Sequence, residues 1–144
     1  FNKKLVFIDP KGKNFNKYTN ADYLTPNINE LNVYKKVLSN SNKNLVSACR
    51  KIISKYNIKN ILLTKSERGM SIISKDYVKH FKAISEKFID VSGAGDTVIA
   101  LFALCIGSGF SAEKSMILSS YAAAIAINKK GTATANFSEI KKIL

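Results

Sequence analysis

The sequence has few of the residues that build disulfide frameworks or transition-metal sites. It contains no tryptophan, one histidine (His80) and two cysteines, Cys49 and Cys105, in 144 residues. The two cysteines lie far apart in sequence and form no Cys-x-x-Cys pair, so neither a zinc site nor a disulfide scaffold is predicted. We interpret both cysteines as small buried apolar residues, which fits a reducing, cytoplasmic compartment.

Long apolar segments and acidic residues are also scarce. The longest apolar runs, 98–106 and 121–127, are far shorter than the roughly 20 residues of a membrane span, and no signal-peptide pattern opens the chain. Ten acidic residues against 23 basic ones give a net charge of +13. This charge suits an anionic partner such as a nucleotide, a sugar phosphate or a nucleic acid, but a solvated surface rich in Lys and Asn explains it equally well.

The size and composition of the chain predict one core of ordinary domain size, since 46% of its residues are hydrophobic. The chain opens on Phe1 rather than Met, and residues 5–8 already have the pattern of a buried strand. We therefore expect residues 1–144 to form one partial domain that begins in mid-fold.

Strand and helix patterns alternate along the chain, which predicts a parallel α/β sheet covered by helices. Helix 97–107 is apolar nearly all round and is expected to be buried. The predicted strands are 5–8, 23–25 and 60–64 with a hairpin of 69–74 and 78–84; the predicted helices are 27–37, 44–56, 97–107, 112–128 and a short one from 138.

Polar residues follow four predicted strands. They are Asp9, the turn 25–27, the segment 64–66 and the segment that starts at Asp90. Because ligands of open α/β sheets gather at the carboxyl ends of the strands, we expect these four ends to face one crevice. Asn27, with Glu30 three residues later, also has the pattern of a helix N-cap with a capping box.

The segment 90–97, Asp-Val-Ser-Gly-Ala-Gly-Asp-Thr, lies between an extended stretch and the apolar helix. Its small residues, Gly93, Ala94 and Gly95, leave backbone N–H groups free at a helix N-terminus, where they form a hole for phosphate oxygens. Asp96 is then placed to accept the proton of an attacking hydroxyl. A tight glycine turn with Asp96 as a helix cap is an equally good interpretation from the residues alone.

These residues resemble two motifs of the ribokinase-like carbohydrate kinase superfamily. Segment 90–97 is similar to the signature Asp-Thr-x-Gly-Ala-Gly-Asp, with Val91 in place of the usual Thr, and segment 27–30 is similar to Asn-x-x-Glu. The resemblance implies a ribokinase-like parallel sheet flanked by helices, of which this chain is the C-terminal, nucleotide-binding portion. It implies roles for eight residues: Asp96 as catalytic base, Gly93, Ala94 and Gly95 as the anion hole, and Asn27, Ile28, Asn29 and Glu30 for ATP, with Mg²⁺ held through Glu30 and the nucleotide.

Four further segments, 9–12, 24–27, 66–71 and 130–134, resemble the heptose 7-phosphate kinase branch, the kinase half of bifunctional ADP-heptose synthases. The resemblance implies phosphorylation of heptose 7-phosphate at its anomeric hydroxyl, in ADP-heptose synthesis for the lipopolysaccharide core. The family's kinase domain is about twice as long, so we expect most sugar contacts to lie outside this chain and the fragment alone to be inactive.

Three weaker expectations concern single residues. Lys65 follows a strand end and would reach a phosphate, although a solvated lysine is as good an interpretation. Asn128 and the alanines 122–124 would line an adenine pocket, although helix packing explains the alanines equally well. A monovalent cation such as K⁺ near Asp90 and Ser92 occurs in parts of the superfamily.

Three alternatives remain beside the heptose kinase. The first is a kinase of the same fold with another sugar or nucleoside as acceptor. The second, a basic nucleic-acid-binding domain, rests on the net charge alone. The third is self-association through a bare sheet edge, which would make a homo-oligomer. The leading expectation has ATP and a sugar phosphate as partners, without nucleic acid or membrane.

Overall fold

The computed structural model describes residues 4–34, 36–37, 39–84, 93–129 and 134–141. The chain divides into two compact units, which we call unit 1 (Phe1–Lys65 and Ser71–His80) and unit 2 (Ser66–Met70 and Phe81–Leu144). The expectation of one partial domain stays a prediction. The sequence patterns at 85–92 and 130–133 lie outside the described residues.

Unit 1 is built on three short parallel strands, β1 (Phe7–Ile8), β2 (Tyr23–Leu24) and β3 (Asn60–Thr64). Phe7 lies opposite Tyr23, and Leu24 lies opposite both Ile8 and Ile61. The rings of Phe7 and Tyr23 stack at 4.9 Å, as neighbours on one face of a parallel pair do. The sequence predicted β3 at its observed bounds, whereas β1 and β2 are shorter than predicted.

Two helices cover this sheet, α1 (Ile28–Tyr34) and α2 (Asn42–Tyr56). The N-cap of α2 is Ser41, whose hydroxyl accepts a hydrogen bond from the Asn44 N–H at 3.3 Å. The helix ends at Tyr56, and its C-cap Asn57 adopts a left-handed conformation with φ 51°, which Asn tolerates better than most residues. Helix α1 corresponds to the predicted helix 27–37 but ends three residues earlier than predicted, at Tyr34.

The core of unit 1 lies between the sheet and these helices. Apolar side chains spaced along one face of α2 belong to the same buried cluster as residues of β2 and β3, because a helix repeats every 3.6 residues and buries one stripe. The rings of Phe15 and Tyr34 pack at 4.3 Å beside this stripe. The core residues are Phe15, Tyr18, Ala21, Leu24, Leu31, Leu45, Ala48, Cys49, Ile52, Ile53, Tyr56, Ile58, Ile61, Leu63 and Ile73.

A hairpin continues the sheet beyond β3, as the sequence predicted. Its strands are β4 (Met70–Ser74) and β5 (Val78–Phe81), and the sheet order is β1-β2-β3-β4-β5. A link of three residues can join only antiparallel neighbours, so the sheet is mixed rather than purely parallel. The Ser74 N–H donates to the Tyr77 carbonyl oxygen at 2.9 Å and closes the turn.

Unit 2 contains the helices α3 (Ala94–Gly107), α4 (Ala112–Ile127) and α5 (Phe137–Lys141). The prediction that α3 is buried all round is wrong. Val98, Phe102 and Cys105 recur at helical spacing and are buried, but Leu104, on another face of α3, is 65% exposed. Among the described residues, no helix is both long and apolar enough to span a membrane.

Candidate functional site

Three of the four predicted polar strand ends lie at one edge of the sheet in unit 1. Because β1, β2 and β3 run parallel and are adjacent, three polar positions lie at the same edge of the sheet: Asp9 after β1, the turn after β2, and Thr64, the last residue of β3. Asn27 also pairs with Thr64 in a parallel bridge. Three of the four predicted strand ends thus share one edge of the sheet. That they face one crevice remains a prediction, and Asp90 lies outside the described residues.

Asn27 and Glu30 form the predicted capping box at the start of α1. The Asn27 side-chain oxygen accepts the Glu30 N–H at 2.9 Å, and Glu30 Oε2 accepts the Asn27 N–H at 2.9 Å. Each residue thus satisfies a backbone donor that the helix leaves free, and the Glu30 carboxylate is held in one orientation.

The residues between them differ in exposure. Ile28 is half-buried and packs against the core of unit 1, whereas Asn29 is exposed. Roles of Ile28 and Asn29 in nucleotide binding remain predictions.

Lys11 joins this carboxylate to a second one. Its ammonium nitrogen lies 2.5 Å from Glu30 Oε1 and 3.0 Å from Asp9 Oδ2. The hydrogen bonds to Glu30 and then to Asp9 raise the pKa of Lys11 above its ordinary value. The sequence showed only a turn at 9–12, and nothing in the spacing revealed that Lys11 meets a residue 19 positions later.

The carboxylates of Asp9 and Glu30 suit a small hard cation. Their side chains are 29% and 17% exposed, and the two carboxylates already share one cation, the ammonium of Lys11. Mg²⁺ prefers one or two carboxylates completed by water and substrate phosphates, which this pair would allow. Among the described residues, no three His, Cys, Asp or Glu side chains come together in a group that could hold a metal ion.

Lys65 is buried rather than solvated. It is 4% exposed, and its ammonium donates to the Asn42 side-chain oxygen at 3.1 Å. Burial, followed by the charge of Lys65, lowers the pKa of His80 below its ordinary value. The predicted phosphate contact of Lys65 remains a prediction, since the described contact is structural.

Helix α3 of unit 2 begins at the predicted anion hole. Gly93 is its N-cap and has φ 76°, a left-handed conformation open to Gly at little cost. No side chain caps this end, and the helix begins at Ala94, which leaves the N–H groups of Ala94, Gly95 and Asp96 without helical acceptors.

Asp96 stands in the first turn of α3, not at its cap. The interpretation in which Asp96 caps the helix therefore does not describe this structure. Its side chain is exposed and forms no hydrogen bond or ion pair with any other residue that the structure describes. A carboxylate in the first turn is favoured by the helix dipole and is available to a ligand.

The small-residue face of α4 is largely used in packing. Ala122 and Ala123 are 1% and 9% exposed. Asn128 is exposed, and its side-chain amide donates to the Ala124 carbonyl oxygen at 2.8 Å, which closes the end of the helix. A contact of Asn128 with adenine remains a prediction.

An open basic groove of about 820 Å³ runs along α2 and β5 within unit 1. Among the residues that the structure places along it, none is acidic. Sequence reasoning missed this groove because its basic residues alternate with polar and apolar ones along α2. The groove is lined by Asn42, Lys43, Val46, Ser47, Arg50, Lys51, Ser54, Lys55, Val78 and His80.

The class of protein follows from solved structures with the same fold. The Thermotoga maritima ribokinase structure matches 99% of this chain with a TM-score of 0.84 and 28% identity, and the match covers 49% of that protein. The Arabidopsis thaliana ribokinase structure, complexed with ribose and ATP, matches 85% of this chain with a TM-score of 0.79 and 24% identity, and the match covers 40% of that protein. The predicted ribokinase-like α/β fold is confirmed, with a mixed sheet.

The family follows from sequence relatives. A model described as pfkB family carbohydrate kinase matches residues 1–139. The bifunctional protein HldE of Campylobacter fetus subsp. fetus is 37% identical over 97% of this chain, and that of Blochmanniella pennsylvanica is 39% identical over 96%. This chain spans 30% and 29% of the length of these two relatives. The chain belongs to the pfkB family of carbohydrate kinases and is related to HldE, as its motifs predicted.

Proposed function

We propose that this chain supplies the nucleotide side and the catalytic base of an ATP-dependent sugar kinase. One observation carries the proposal. Asp96 is an exposed carboxylate without a partner among the described residues, and it stands in the first turn of α3 directly after Gly93, Ala94 and Gly95. Membership in the pfkB family supports the same reaction class.

The chemistry assigned to these residues is a phosphoryl transfer. The acceptor hydroxyl loses its proton to Asp96 while its oxygen bonds to the γ-phosphorus of ATP, and the bond from that phosphorus to the β,γ-bridging oxygen breaks. ADP leaves with the electron pair of the broken bond. The free N–H groups at the start of α3 would stabilise the charge on the transferred phosphoryl oxygens.

Asn27 and Glu30 are assigned to ATP and its metal ion. Mg²⁺, when bound, would neutralise charge on the phosphates. The capping box supports this assignment, because it holds the Glu30 carboxylate in a fixed direction at the edge where Asp9 and Thr64 lie. A contribution of K⁺ near Asp90 and Ser92 remains a prediction, since both residues lie outside the described part of the chain.

The acceptor that we propose is the anomeric hydroxyl of a heptose 7-phosphate. Support comes from segments 9–12, 24–27 and 66–71, which resemble the heptose kinase branch, and from the relatives named HldE. The product would be the heptose 1,7-bisphosphate. A cytoplasmic location fits this role, and Cys49 and Cys105 are both free thiols.

A panel of acceptors tests this proposal in the intact protein. ADP release is measured with heptose 7-phosphate, ribose, fructose 6-phosphate and a nucleoside at matched concentrations. We expect heptose 7-phosphate to give the highest kcat/KM. A higher value for another acceptor would keep the kinase and overturn the heptose assignment, and the absence of ADP release with every acceptor would contradict the kinase itself.

The basic groove gives the nucleic-acid alternative its one structural support. A nucleic-acid binder would bind single-stranded or duplex DNA with an affinity that falls steeply as salt rises. Filter binding of both DNAs at low and physiological salt separates the two functions. We expect only weak binding that is lost at physiological salt; tight binding under that condition would favour the alternative.

A further inference from the structure

The ammonium of Lys11 occupies the position between two carboxylates where a metal ion would be expected. It lies 2.5 Å from Glu30 Oε1 and 3.0 Å from Asp9 Oδ2, so one cation is shared by two oxygens. The carboxylates are the more buried partners, with side chains 17% and 29% exposed, while the Lys11 side chain is 68% exposed. The cation that compensates part of the pair's charge is therefore its exposed member.

The surroundings hold the carboxylate of Glu30 and the backbone of Lys11 in place. Glu30 Oε2 accepts the Asn27 N–H, which orients Oε1 toward Lys11. The Tyr18 hydroxyl accepts the Lys11 N–H at 2.8 Å and donates to the Lys11 carbonyl oxygen at 3.0 Å. The backbone of Lys11 is thus anchored to a buried ring, and only its side chain has to move to uncover the two carboxylates.

The contact is easily exchanged. Ion pairs of exposed lysines are weak, since water solvates the ammonium well and the flexible side chain loses entropy when it is held in one geometry. A divalent ion carries twice the charge and prefers carboxylate oxygens. A lysine in this position would therefore compensate one of the pair's two negative charges without a metal and would move into solvent when a divalent ion, which compensates both, arrives.

We propose that Lys11 is a built-in counter-cation of the Asp9–Glu30 pair that a divalent ion displaces, and that it sets the concentration of divalent ion required to fill the site. The inference rests on the metal-binding part of the proposed function. It assigns Lys11 a positioning role in metal uptake, without a part in the proton transfer.

Mn²⁺ is the probe, because the electron paramagnetic resonance signal of free Mn²⁺ measures its binding directly. The chain is titrated without nucleotide or sugar as wild type, as Lys11→Met and as Lys13→Met. Lys13 is also exposed and removes the same charge two residues away, so it is the matched control. Circular dichroism and thermal unfolding check that each variant is folded.

We expect Lys11→Met to bind Mn²⁺ about fivefold more tightly than Lys13→Met, which corresponds to about 1 kcal/mol, the upper range of an exposed ion pair. Equal affinities of the two variants would overturn the proposal. So would the absence of Mn²⁺ binding to both variants at millimolar concentrations.

A second variant locates the bound ion. Glu30→Gln keeps an oxygen for the Asn27 N–H but removes the charge that would bind metal. The gain produced by Lys11→Met should disappear when Glu30→Gln is also present. A gain that persists in the double variant would place the ion elsewhere and would refute the assignment.

The outcomes separate this proposal from the kinase proposal. If Asp96→Asn abolishes phosphoryl transfer while Lys11→Met leaves Mn²⁺ affinity at the control value, only the role of Lys11 fails. If no acceptor is phosphorylated but Lys11→Met still tightens Mn²⁺ binding through Glu30, the kinase assignment fails and the counter-cation role stands.

Discussion

Gly69 is the position where one added methyl group tests the packing of unit 2 most sharply. Its φ is +77°, a conformation that costs an L-residue about 1–2 kcal/mol. A Cβ at this position would overlap the carbonyl oxygen of Phe81 and lie 2.6 Å from the Ala83 nitrogen. These are backbone atoms, which cannot rotate away as a side chain can, so the hairpin itself would have to shift.

Gly109 provides a matched control in the same unit. Its φ is +87°, and a Cβ there would meet no atom within 4 Å. Gly109→Ala therefore carries only the backbone cost of about 1–2 kcal/mol, whereas Gly69→Ala adds the cost of overpacking, about 1–3 kcal/mol.

Urea denaturation followed by circular dichroism measures the free energy of unfolding of both variants and of the wild type. We expect Gly69→Ala to lose at least about 1 kcal/mol more than Gly109→Ala. Equal losses would refute the close approach of the Phe81–Ala83 backbone to Gly69.

Three further predictions concern single residues. Gly95→Ala adds a methyl group in open space within α3, so we expect the free energy of unfolding, measured by urea denaturation, to rise by about 0.5 kcal/mol. Kinase turnover, measured by ADP release, should fall because the phosphate loses room. A fall in both quantities would contradict this prediction. Burial and Lys65 lower the pKa of His80, so the unfolded chain takes up a proton more readily and stability is lost as pH falls below about 6.5. Thermal unfolding of His80→Gln between about pH 7 and 5 should show a smaller loss than the wild type, and identical profiles would count against it. Burial raises the pKa of Cys49 to about 12, so iodoacetamide should label this thiol only as urea unfolds unit 1, and rapid labelling of the native chain would be inconsistent with its burial.

Local features of the fold were predictable because local residues determine them. Asn27 and Glu30 are three positions apart, so their reciprocal hydrogen bonds could be read from the sequence. The strand Asn60–Thr64 was predicted at its observed bounds, since a short apolar run between polar residues leaves little choice. The end of α1 at Tyr34 was missed because the apolar pattern continues to Val37 although the helix does not.

Contacts between distant segments were not predictable. Lys11 meets Glu30 only because the residues that follow the end of β1 lie close to the start of α1. The burial of Lys65 depends on Asn42 at the start of α2, and a lysine beside a strand end gives no local sign of such a contact.

At the glycine motif, the residues alone left two interpretations of Asp96 open. The left-handed φ of Gly93 makes that glycine the N-cap and places Asp96 inside the first turn of α3. This backbone geometry depends on how the chain enters the helix, which composition does not specify.

The turnover of Asp96→Asn in the intact protein tests the central claim most directly. The control is Asp76→Asn, an exposed carboxylate in the turn between β4 and β5. Because general-base catalysis contributes about 10²–10⁴-fold, we expect kcat of Asp96→Asn to fall by that factor with ATP affinity nearly unchanged, while Asp76→Asn keeps wild-type turnover. Near-wild-type turnover of Asp96→Asn would contradict its role as the catalytic base.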